Sequence, residues 1–158
     1  RKEWDHNHSI DWHLLEHKSH RGIQNTVQAL NTVYKKSPAL YELDSSSAGF
    51  EWIDNNNNEQ SIFSFVRYAK NAHDFIVVVA NFTPVSYQEY EIGVPAAGKY
   101  KVILNTDDDA FFGSGIKVTA NKNATVSSVK ASAHGFSHSI KIAVGGLTTI
   151  YLQKVEDE

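Results

Sequence analysis

At 158 residues, with 41% apolar residues and a net charge of −3 at pH 7, the chain fits one domain, or one domain plus an appendage, with a real core. Its charges are mixed and no basic face stands out, which excludes a nucleic-acid or membrane-surface partner, and no apolar run approaches the ~18 residues that span a bilayer. Cysteine is absent, so disulfides and thiolate metal sites are excluded and a cytoplasmic location is expected.

Methionine is absent as well, and the chain is therefore expected to be a piece of a longer translation product. Residues 1–43 read as helical. Ser19 is placed to cap a helix that begins near His20, and Ile23, Val27, Leu30 and Tyr34 form one apolar stripe along it. Lys35 and Lys36 suit the negative end of the helix dipole, and Ser37-Pro38 ends the helix because the residue before proline avoids the α region. The stripe is expected to pack on something outside this chain, with the flank of the following domain as its substitute here.

Asp44-Ser45-Ser46-Ser47-Ala48-Gly49 reads as a linker, and from Phe50 onward the texture is β. Ile62 to Tyr68, Phe75 to Phe82, Tyr87 to Val94, Tyr100 to Leu104, Ala124 to Val129, Ser139 to Val144 and Thr148 to Leu152 are rich in β-branched and aromatic residues. Turns are expected at Asp54 to Asn58, Asn71 to Asp74, Ala96 to Gly98 and Gly145-Gly146. No helical pattern lies between these strands, so the fold class is mainly β, an antiparallel β-sandwich after a helical segment. Asp107 to Asn123 is polar and irregular, and reads as a mobile surface loop.

Glu3-Trp4 with Asp11-Trp12-His13-Leu14-Leu15 opens a series of five blocks. The others are Tyr41-Glu42-Leu43-Asp44 with Gly49-Phe50-Glu51-Trp52, then Asn81-Phe82-Thr83-Pro84-Val85. Ile103-Leu104-Asn105-Thr106-Asp107 with Phe112-Gly113 follows, and Leu147-Thr148-Thr149-Ile150-Tyr151-Leu152 closes the series. In this order the blocks resemble the C-terminal part of bacterial 1,4-α-glucan (glycogen) branching enzymes. The resemblance implies that residues 1–43 are the last helical segment of an α-amylase-type (β/α)8 barrel and residues 44–158 a C-terminal β-sandwich. It implies a parent that cleaves α-1,4 bonds and forms α-1,6 branches by retaining transfer between two carboxylates. Both carboxylates lie upstream, so no catalytic residue is expected here, and the partners implied are an α-1,4-glucan and the upstream barrel. Gly145-Gly146, where a proline-rich turn is common, and Asp107-Asp108-Asp109 depart from the family pattern.

Sugar rings have apolar faces that stack on flat aromatic side chains while polar groups bond the hydroxyls. The candidate carbohydrate contacts are therefore Trp52 with Glu51 or Glu16, and, on the resemblance, Glu3 and Trp4 in the loop after the last barrel strand. The competing reading of Trp52 is a core or interdomain tryptophan. Trp12, beside Leu14 and Leu15, is expected to be buried. Phe111-Phe112 reads as an anchor on the sandwich or as a second exposed patch.

Other constellations have plainer readings. Glu3, Asp5 and Asp11 read as solvated or capping groups at a chain end, unsuited to acid–base work. His13 and His17 have zinc-compatible spacing but sit in an irregular segment with no completing carboxylate, and the family needs no metal, so neither metal nor cofactor is expected. Asp107 to Asp109 lacks the alternating ligands of a calcium loop. Asn7, Asn81 and Asn123 begin Asn-x-Ser/Thr triplets, which a cytoplasmic protein would not use. Three roles remain: the C-terminal piece of a branching enzyme that completes the barrel and positions glucan, an independent α-glucan-binding module, and a purely structural cap.

Overall fold

The computed structural model describes residues 5–155. Among them are helix α1 (Lys18–Lys36) and strands β1 (Phe50–Asn57), β2 (Ile62–Tyr68), β3 (Phe75–Asn81), β4 (Tyr87–Val94), β5 (Lys99–Asn105), β6 (Thr125–Ser127), β7 (His138–Val144) and β8 (Thr149–Val155). Every ladder is antiparallel, as the lack of crossover helices requires. The strands form a six-stranded sheet in the order β1-β2-β3-β8-β5-β6 and a two-stranded sheet, β4-β7.

Strand β3 shows how the layers stack. Its sequence, Phe-Ile-Val-Val-Val-Ala-Asn, is buried at every position, the signature of a strand covered on both faces. Phe75, Val77 and Val79 point toward β4-β7 and join the main core with Ile62, Val66, Ile150 and Leu152. Ile92, Val94, Ile140, Ile142 and Val144 close that core from the small sheet. Ile76 and Val78 point the other way, into a second cluster with Ala39, Ala69 and, from a 3₁₀ turn at Pro38–Leu40, the partly buried Leu40. Each aliphatic side chain so buried stabilises the fold by about 1.5–3 kcal/mol. The Ser64 hydroxyl, on the core face of β2, is buried without a partner, a local cost of about 1–3 kcal/mol.

Several local expectations change. Helix α1 begins at Lys18 with His17 as its cap residue and no side-chain cap bond, so Ser19 lies inside the first turn. Asp54 to Asn57 is strand, because register shifts let β1 continue beside β2 and move the turn to Asn58–Ser61. Trp12 is 59% exposed in a 3₁₀ segment, Trp12–Glu16. The segment after β5 is anchored. The Asp107 carboxylate, 7% exposed, accepts hydrogen bonds from Ser114 N–H (2.8 Å), the Ser114 hydroxyl (2.7 Å) and Ile116 N–H (3.1 Å). Val118 is buried in the main core beyond it.

The sandwich covers little of the apolar stripe of α1. Ile23, Val27 and Tyr34 are exposed and Leu30 is partly buried. The closest approach of the helix is made through small and polar groups. Gly22 is buried against the Phe111 carbonyl and Phe112 Cβ, and Asn25 Nδ2 donates to the Ala110 carbonyl at 3.1 Å. Backbone-to-backbone approach needs a residue without Cβ, and that requirement overrides the amphipathic pattern.

A Cβ on Gly22 would lie 2.5 Å from the Phe111 oxygen. Gly22→Ala gains about 1 kcal/mol of helix propensity but loses about 1–3 kcal/mol to the forced shift. A net drop in the urea midpoint with unchanged slope is expected, with chemical-shift changes confined to Ala110 to Phe112 and α1.

Tyr100 is fully buried and its hydroxyl donates to the Ala96 carbonyl at 2.6 Å. Burial pushes its pKa up to about 12, opposed in part by hydrogen bonding to Ala96. Burial raises Tyr68, Tyr90 and Tyr151 also. A raised folded-state value means the unfolded chain releases its proton first. The stability these tyrosines contribute is therefore fully present below pH 10 and is lost as pH rises from 10 toward 12, with Tyr100 alone accounting for on the order of 2–3 kcal/mol of that loss. Thermal midpoints across this range, with tyrosinate absorbance as the probe, should fall together.

Candidate functional site

Alternation along β1 and β2 builds the site. Phe50 pairs with Arg67, Trp52 with Phe65, and Phe63 with Ala80 of β3. Residues two apart share a face, so Phe50, Trp52, Phe63 and Phe65 all lie on the side of the sheet opposite the main core. This is the side on which Leu40 and Ala39 cover Ile76 and Val78. The covering stops short of β1, and Phe50, Trp52, Phe63 and Phe82 are 37%, 47%, 36% and 65% exposed.

The rings form a continuous row. Phe50 meets Trp52 edge-on at 4.9 Å and stacks on Phe65 at 5.2 Å. Trp52 lies 5.9 Å from Phe65 and 6.3 Å from Phe63, and Phe63 meets Phe82 at 5.6 Å. These separations suit edge-to-face and offset contacts, so the rings brace one another while presenting faces to solvent. Arg67 fixes the end of the row near Phe50. Its Nε donates to the Gly49 carbonyl at 3.1 Å and its Nη2 pairs with Asp44 at 2.8 Å, tying Asp44 to Gly49 onto the sheet.

The other sequence-predicted contacts are not gathered round Trp52. Glu51 follows the strand alternation to the opposite face, where the Tyr68 hydroxyl donates to it at 2.7 Å. Burial first, then this bond and the Glu51 charge, push the Tyr68 hydroxyl well above its ordinary value. Glu16 is exposed at the end of Trp12–Glu16. Glu3 and Trp4 lie outside the described residues. Phe112 is 62% exposed while its Cβ packs on Gly22, so the Phe111-Phe112 pair is both anchor and exposed ring. Phe50, Phe63, Phe65 and Phe82 are the members of the row that the sequence reading missed. The signal was the period-two pattern Phe63-Ser64-Phe65-Val66, which puts two rings on the face that Trp52 shares once the register is known.

Among the described residues no group of three or more His, Asp or Glu side chains converges to hold a metal ion. His13 lies in the 3₁₀ segment and His17 at the cap of α1, so their spacing is not that of one helical face. Among the same residues no helix is long and apolar enough to cross a membrane.

Trp52→Ala should leave the fold nearly intact. It removes ring contacts worth about 0.5–1.5 kcal/mol each at most from a half-exposed side chain, whereas Ile62→Ala in the core should cost about 2–5 kcal/mol. Chemical denaturation of the two variants side by side checks the ordering.

Residues 52–155 match the family model described as alpha amylase, C-terminal all-beta domain. The chain is 45% identical over 152 residues to the 1,4-alpha-glucan branching enzyme of Aquifex aeolicus, covering 96% of this chain and 24% of that protein. It is 41% identical to the branching enzyme of Rubrobacter xylanophilus, covering 96% of this chain and 20% of the relative. It is also 41% identical to that of Oceanobacillus iheyensis, covering 99% of this chain and 24% of the relative. The chain thus spans about a quarter or less of the length of these relatives.

Proposed function

The chain belongs to the family of alpha amylase C-terminal all-beta domains, and on that footing we propose that it works as the C-terminal part of a cytoplasmic 1,4-α-glucan branching enzyme. The observation that carries this reading is identity of 41–45% to such enzymes over nearly the whole chain. Residues 1–43 would be the last helical segment of the catalytic barrel and residues 44–158 the sandwich that follows it. The exposed stripe of Ile23, Val27 and Tyr34 on α1 supports this division, since it offers the barrel an apolar face.

In the parent, one carboxylate attacks the anomeric carbon of an α-1,4-linked glucose and forms a glycosyl-enzyme. A second protonates the departing glucan, then takes the proton from the 6-hydroxyl that displaces the enzyme. The carboxylates of this chain do other work: Asp107 organises a loop, Glu51 holds Tyr68, and Asp44 pairs with Arg67. The proposed contribution of the sandwich is to support the barrel and to hold long α-1,4-glucan against the row of Phe50, Trp52, Phe63 and Phe82. The exposure of Trp52 favours this platform over a purely structural cap.

Pure chain should leave the iodine colour of amylose unchanged, and a reproducible loss would overturn the assignment of catalysis to upstream residues. In an NMR titration with maltoheptaose, saturable shifts centred on Trp52 and abolished by Trp52→Ala are expected. Silence up to millimolar sugar would leave the sandwich as a cap.

A further inference from the structure

We propose a second carbohydrate-binding site, distinct from the aromatic row, in a groove between the turn that joins β1 to β2 and strand β4. The groove encloses about 470 Å³ and is lined by Asn57, Gln60, Tyr87, Tyr90, Glu91 and His134, with Gln88 and Glu89 at its rim. That volume lies within the ordinary range for small-ligand sites.

Its chemistry selects the ligand class. The lining carries carboxylates and amides and neither lysine nor arginine, so it disfavours phosphate and other anions. No metal-holding cluster forms among the described residues. The amides of Asn57, Gln60 and Gln88 and the carboxylates of Glu89 and Glu91 suit a ligand rich in hydroxyl groups, since each hydroxyl can donate to a carboxylate and accept from an amide. The half-buried ring of Tyr87 packs against Tyr90 at 6.2 Å with a 55° tilt and supplies a flat surface for the apolar face of a sugar.

The polar groups are held in place before any ligand arrives. Asn57 Nδ2 donates to Gln60 Oε1 at 2.7 Å and to the Tyr90 hydroxyl at 3.0 Å, and Asn57 Oδ1 accepts from Gln60 N–H at 3.2 Å. His134 sits in the left-handed region at φ 51°, a strained backbone for a residue with a side chain. Its Nδ1 accepts from Gly93 N–H at 3.1 Å, which puts the proton of the neutral ring on Nε2, 3.5 Å from Asp54. The bonds among Asn57, Gln60 and Tyr90 hold these side chains in fixed orientations, so little side-chain freedom is lost there when a ligand binds. Three distant stretches, around residues 57, 90 and 134, have to meet for the groove to exist.

The choice of α-1,4-glucan as the ligand rests on the proposed function; the fit of the groove to a polyhydroxylated molecule does not. No residue of α1 lines the groove, so an upstream domain joined through that helix need not close it. The test is an amide-resolved NMR titration of the full chain with maltoheptaose, in the parent sequence and in Trp52→Ala, Tyr87→Ala and Gln60→Ala. Shifts at Asn57, Gln60, Gln88 and His134 should persist in Trp52→Ala and weaken by about tenfold or more in the other two variants. Gln60→Ala carries the result should Tyr87→Ala lose its dispersed spectrum. Shifts at the Trp52 row alone would overturn this second site and leave the platform standing. Shifts in the groove that neither variant weakens, or silence at the groove amides, would overturn it as well.

Discussion

The six-stranded sheet has two apolar faces, and the rest of the structure follows from how each is covered. Strand β3 makes the demand unavoidable, because alternate residues feed two separate clusters and none faces water. The two-stranded sheet satisfies one face completely, with Ile92, Ile140, Ile142 and Val144 set against Val77, Val79 and Leu152. The other face receives the short segment around Ala39 and Leu40, which covers the centre. At β1 and β2 that face is left to solvent, and the side chains there are aromatic. Exposed rings of this kind, braced by one another, are unusual on a surface with no partner. The incomplete cover of one sheet face is thus what leaves the aromatic row exposed.

The helix is held by a different logic. Its docking contact is a close backbone approach at Gly22, reinforced by Asn25, onto a loop that Asp107 organises. A buried carboxyl group receiving three donors is a strong local organiser, since each of those donors would otherwise be left without a partner. Helix and sandwich are therefore coupled through the loop after β5, and Ile23, Val27 and Tyr34 of the apolar stripe stay exposed. Both the outer part of the stripe and the aromatic row are exposed apolar surfaces.

The β1-β2 hairpin has a further consequence for function. Its outer face carries Trp52 and Phe63, while the turn at its tip carries Asn57 and Gln60 into the polar groove. One supersecondary unit thus presents two surfaces of different chemistry, one aromatic and open to solvent, the other polar and lined by amides and carboxylates.

The strands were legible because β-branched and aromatic runs between turn residues carry their own period, and so the antiparallel class, with no helices to connect parallel strands, could be read from the chain. The end of α1 at Pro38 was legible for the same local reason. Trp12 was misjudged because its neighbours Leu14 and Leu15 suggest burial, yet nothing in the sequence says whether a covering element exists. Asp54 to Asn57 was misjudged because a local turn preference yields to the ladder with β2. The place of Trp52 in a row of rings, the turning away of Glu51, and the meeting of Asn57, Tyr90 and His134 depended on register and layer order. The sequence by itself determined most of the strand segments and the aromatic character of their side chains, since those follow from local periodicity and residue type. Only the tertiary structure decided which of them share a face and which face stays uncovered, because such contacts join residues far apart in the chain and are set by packing.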